Sequence, residues 1–88
     1  MSAEAEQLPE ATFQTIVYTM ATQAMIALGE IENPITRQSK VDLRQAKYLI
    51  DTLQVLHEKT EGNLDETEKR ALMNILAEVQ MKYVEKSD

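Results

Sequence analysis

The chain contains no cysteine. Disulfides and thiolate metal sites are therefore excluded. Its only glycines are Gly29 and Gly62, too few and too far apart for a glycine-rich phosphate loop. Serine occurs only at Ser2, Ser39 and Ser87, in expected tails or a loop, and none lies near the single histidine, His57. Nucleophilic catalysis needs a nucleophile, a base and an orienting group, and no such trio is spelled out. The oddest absence is of charge. From Ala11 to Gly29 there is no Asp, Glu, Lys, Arg or His, although charged residues make up 27% of the chain. A helix with one wet face normally carries charge on it; this one carries Thr and Gln, as a helix covered on more than one side would.

Eighty-eight residues make one small domain. A chain this short buries roughly 60–65% of the surface its unfolded form exposes, so a monomer has modest stability. Small domains are commonly reinforced by disulfides, metals or association; here association is the route left. Absence of cysteine fits a reducing cytoplasm, the expected location. Met1 to Glu10 is acidic and has no basic flank, unlike a secretory signal. The uncharged stretch is long enough to span a bilayer, but Thr12, Gln14, Thr15, Thr19, Thr22 and Gln23 run through it and no Lys or Arg flanks it to set orientation, so a membrane helix is disfavoured.

The formal net charge is -6. Residues 1–29 contribute -3 (Glu4, Glu6, Glu10), residues 30–62 contribute +5 and -6, and residues 63–88 contribute +4 and -6. Such a surface as a whole repels nucleic acid and anionic lipid.

Three helices are legible. Residues 1–8, small and acidic without apolar periodicity, read as a disordered tail before a single domain over 9–86. Helix 1 starts near Pro9–Thr12, with Pro9 suited to a first turn. Its main stripe is Phe13, Ile16, Val17, Met20, Ala24, Ala27 and Leu28, with a second stripe of Thr12, Thr15, Thr19, Thr22 and Ile26 roughly opposite. Gly29 is placed to end it as a left-handed residue. Ile31 to Lys40 is a loop with a turn at Asn33-Pro34. Helix 2 opens on Asp42 with Gln45, a capping box, and buries Leu43, Ala46, Leu49, Ile50, Leu53 and Leu56. Val41, Tyr48, Thr52 and Val55 form a weaker second face. Helix 3 opens on a second box, Asp65 with Glu68; Leu72, Ile75, Leu76, Val79 and Tyr83 form its main face, widened by Met73, Ala77 and Val84. No strand alternation occurs. The Glu61 to Leu64 link is short enough to make helices 2 and 3 a hairpin.

Several of these residues recur in one family pattern: Leu28-Gly29, Asn33-Pro34 with Thr36, Asp42-Leu43, Ala46-Lys47, Ile50-Asp51 with Leu53, Glu58-Lys59-Thr60, Gly62-Asn63-Leu64, and Tyr83-Val84. Over residues 12–84 the chain resembles the bacterial domain-of-unknown-function family eighteen forty-four, small acidic all-helical proteins. The Glu-Lys-Thr-x-Gly-Asn-Leu segment is the most specific piece. The resemblance implies a bacterial, cytoplasmic, all-helical domain and supplies no reaction. One departure concerns the loop, where the family pattern has Gly after the Thr and this chain has Arg37, which bears on the geometry of that turn.

Candidate sites are few. His57 lies at the edge of the apolar face of helix 2 with Glu61 one turn on, but a metal needs three or four ligands; a partly buried structural histidine is the expectation, with no metal and no cofactor. Asp65, Glu66 and Glu68 sit in a first helical turn, where capping and the dipole account for them. A basic cluster, Arg37, Lys40, Arg44 and Lys47, lies at the start of helix 2, where free backbone N–H groups also attract anions. It defines the alternative function, an anion or nucleic-acid binding module; against it, Lys47 can pair with Asp51 on a solvated face, and no aromatic stands among these charges to stack on bases. Met20, Met25, Met73 and Met81 read as packing residues, with Tyr18 and Met25 a recognition patch only if both are exposed.

The sequence thus predicts an all-α, three-helix, non-enzymatic interaction or scaffold protein. It is expected to self-associate through Phe13, Ile16, Val17, Met20, Ala24 and Ala27, with another protein as a second class of partner.

Overall fold

A computed structural model describes residues 8–87 and contains three helices: α1 Phe13–Ala27, α2 Leu43–Lys59 and α3 Glu66–Ser87. The acidic segment assigned to a tail lies, but for Leu8, outside the described residues. Each helix packs on both others. The Cα atoms occupy 39 × 38 × 16 Å, a thin plate.

Helix α1 begins at the late end of the expected window. Thr12, extended at φ −125°, is its N-cap: the Thr12 hydroxyl oxygen accepts from the Thr15 amide at 3.1 Å. Pro9 stands outside the helix, three residues before this cap, and so takes no place in the first turn. At the other end Leu28 is the C-cap and Gly29 has φ +79°. The Glu30 amide donates to the Met25 carbonyl at 2.9 Å and the Gly29 amide to Ile26 at 3.0 Å, the paired bonds of a Schellman stop.

The loop that follows is tied to itself. The Asn33 side-chain oxygen accepts from the amides of Ile35 (2.8 Å) and Thr36 (3.3 Å). The Arg37 amide donates to the Asn33 carbonyl, and the Asn33 amide to the Gln38 carbonyl. Arg37 sits at φ +61°, the one described non-glycine residue in the left-handed region.

The two capping boxes differ. Asp65 and Glu68 make theirs in full: the Glu68 amide donates to the Asp65 carboxylate at 2.8 Å and the Asp65 amide to the Glu68 carboxylate at 3.0 Å. The Asp42 box is half made. Its carboxylate accepts from the Gln45 amide at 3.2 Å, but the Asp42 amide donates instead to the Ala27 carbonyl, an orphan acceptor at the end of α1. One residue therefore closes two helix ends.

The core is one contiguous cluster. Val17, Ala24, Ala27 and Leu28 from α1 and its cap meet Ala46, Leu49, Ile50 and Leu53 of α2 and Leu72, Leu76 and Val79 of α3. Phe13, Met20, Met25, Leu43, Leu56, Leu64, Ile75 and Tyr83 pack against its margin. The small Ala24 and Ala46, both fully buried, let the helices approach. Each buried leucine stabilises by roughly 1.5–3 kcal/mol. No polar side chain is buried among the described residues. One tie reaches across the fold: Glu30, just past α1, lies 3.3 Å from the Lys86 ammonium and 3.7 Å from that of Lys82, both on α3.

Candidate functional site

The six residues assigned to an association surface divide. Val17, Ala24 and Ala27 are buried in the chain's own core, so they offer no surface to a second copy. The spacing that marked them as one apolar stripe was right; the partner they meet is α2 and α3 of the same chain. Phe13 and Met20 are half-buried at the rim, and Ile16 is 51% exposed.

Around Ile16 the surface of α1 stays free of charge. Ala11, Thr12, Phe13, Thr15, Ile16, Thr19 and Met20 line a shallow, largely apolar trough. Tyr18, Thr22 and Gln23 are exposed beside it on the same helix. The threonines do not bond back into α1 as its close-packing side would: the Thr15 hydroxyl donates to the Glu10 carbonyl at 2.6 Å, outside the helix. Back-bonding occurs in α2, from Thr52 to the Tyr48 carbonyl and at its end from Thr60 to that of Leu56, both at 2.7 Å. Met25 packs against the core, so it forms no exposed patch with Tyr18.

The rest of the fold also exposes apolar residues: Val41 just before α2, Tyr48 and Val55 along it, and Met73, Met81 and Val84 along α3. These stand among charges. Arg44, Lys47, Asp51 and Glu58 share the outside of α2, and Glu66, Arg70 and Glu85 that of α3.

The basic cluster is likewise split. Lys47 pairs with Asp51 at 2.8 Å, which raises the Lys47 pKa. Lys40 and Arg44 line an open groove of about 960 Å3 between the Asn33–Gln38 loop and the α1–α2 corner. Ile26, Ile35, Leu43 and Leu49 supply its apolar part. Arg37 is exposed on the loop but is not among the groove's lining residues. Among the described residues, Arg37, Lys40 and Arg44 make no ion pair. The groove's apolar wall was not foreseen, since an isoleucine in a loop carries no periodic signal.

His57 is half-buried on α2. Among the described residues no three His, Cys, Asp or Glu side chains are placed to share a metal ion, and no helix is long and apolar enough to cross a membrane.

No curated protein and no solved structure matches the chain. A family model does: that of the domain of unknown function DUF1844 matches residues 10–85, a span that takes in all of α1 and α2 and all but the end of α3. The Leu28-Gly29 stop after α1, the Asn33-Pro34 turn and the Gly62-Asn63-Leu64 link that carried the resemblance are thus parts of one matched segment, and the chain belongs to the DUF1844 family.

Proposed function

We propose that the protein is a non-enzymatic helical interaction protein that works as a homo-oligomer, paired through the outward face of α1. The observation that carries this is the exposed Ile16 and its trough on a helix without a single charge. In a two-fold contact each surface meets a copy of itself, so a carboxylate within it faces another carboxylate. The chain carries -6, and acidic residues line the outsides of both other helices. The face of α1 is where two copies meet at least electrostatic cost. Its threonines and short side chains permit close approach, and burying Ile16 with Met20, which lines the same trough, removes apolar area from water.

Light scattering on a sizing column over a dilution series tests this. A stable mass of two or more chains, reduced to one by Ile16→Asp, is the expected result. A wild-type mass of one chain at every concentration overturns it.

A further inference from the structure

We propose that the groove beside the Asn33–Gln38 loop is a docking site for an acidic segment with aliphatic anchors, supplied by another protein. The site does not depend on the α1 face. It combines two kinds of wall. Lys40 and Arg44 supply its cationic part, and Ile26, Ile35 and Leu43 its apolar part. Ile35 is 89% exposed, the most exposed large apolar side chain among the described residues, on a loop tied by four hydrogen bonds through Asn33. A side chain with so little contact contributes little to the fold.

Charge decides the occupant. The groove's lining holds Lys40 and Arg44 against Asp42, a net of +1 on a chain whose formal charge is −6. Asp42 turns its carboxylate to the Gln45 amide as a cap. The groove is therefore a cationic, partly apolar island on an acidic protein. Carboxylates spaced along a bound segment meet Lys40 and Arg44, and an aliphatic side chain between them covers Ile35 and Leu43. Nucleic acid fits less well: the groove has no aromatic wall for stacking, and the surrounding charge repels a phosphate backbone. A helix face of a second copy fits less well too, because the aliphatic residues exposed on α2 and α3 lie among charges of both signs.

A random displayed-peptide library panned on the full chain is the test, run in parallel on wild type, Ile35→Ser and the double variant Lys40→Glu/Arg44→Glu. All three substitutions are of exposed residues, and circular dichroism checks each fold. Wild type should enrich peptides rich in Asp and Glu with Leu, Ile or Val between them. The selected peptides should bind about tenfold more weakly to Ile35→Ser, as for loss of one central anchor, and not measurably to the double variant, and wild-type binding should weaken as salt rises. Failure to enrich, a pool without net negative charge, or binding indifferent to both variants overturns the proposal, as does tighter binding of a single-stranded oligonucleotide pool than of the selected peptides.

Discussion

Val41 stands against Gly29 so closely that a Cβ added to the glycine would lie 2.8 Å from Val41 Cγ2. The backbone of Gly29 is at φ +79°, so the position asks for glycine twice, once for its dihedral angle and once for its space. Gly62 has φ +86° and nothing within 4 Å of the same point. Gly62→Ala should therefore cost about 1 kcal/mol, from the dihedral alone, and Gly29→Ala about 2–3 kcal/mol. Urea denaturation of both variants checks the ordering; equal losses would mean that Val41 yields freely.

Arg37 presents the opposite case. It holds a left-handed conformation, φ +61°, that side chains disfavour. Arg37→Gly should stabilise the chain by up to about 1 kcal/mol, the relief of strain less the entropy gained by the unfolded chain. A lowered urea midpoint would show that the arginine side chain makes a compensating contact.

The Glu30 carboxyl is held below its ordinary pKa by the ammonium of Lys86 and then by the charge of Lys82. A carboxyl whose native pKa is depressed stabilises fully above its unfolded value, and the stabilisation disappears as pH falls through the native one. Glu30→Gln should thus lower the unfolding midpoint at neutral pH and leave wild type and variant alike well below the carboxylate range. High salt should shrink the neutral-pH gap, since the pair is partly exposed. A gap that persists in acid would assign the effect to packing instead.

Ala24 and Ile16 lie on one helix and answer different questions. Ala24 is fully buried between helices, so Ala24→Glu should unfold the chain by putting an unpaired charge into the core. Ile16→Asp should leave the circular dichroism spectrum unchanged and alter only the solution mass. Loss of helix in Ile16→Asp would place Ile16 in the fold rather than on a contact surface.

The helices, their order and most of their ends were legible because their causes are local. A glycine stop, an Asx turn and a capping box each act within a few residues. The buried faces were legible from spacing, but spacing says that a face is covered and not by what. Hence Val17, Ala24 and Ala27 turned out to meet their own chain. The Glu30 tie to Lys82 and Lys86 joins distant parts of the sequence and leaves no pattern in it. The second donor of the Asp42 box went to Ala27 for the same reason: the carbonyl that competes for it comes from another helix. The basic cluster was legible as composition, while its division into Lys47 with Asp51 and the groove pair Lys40 and Arg44 needed the corner between α1 and α2.

The plate is thin, with its Cα atoms within 16 Å in the shortest direction. Almost every side chain is therefore either in the single central cluster or within one residue's length of water. Recognition on such a body happens on its outside, where residues can be exchanged without disturbing what holds it together. A lineage can change what this protein meets, one surface residue at a time, and keep the same sheet of three helices underneath.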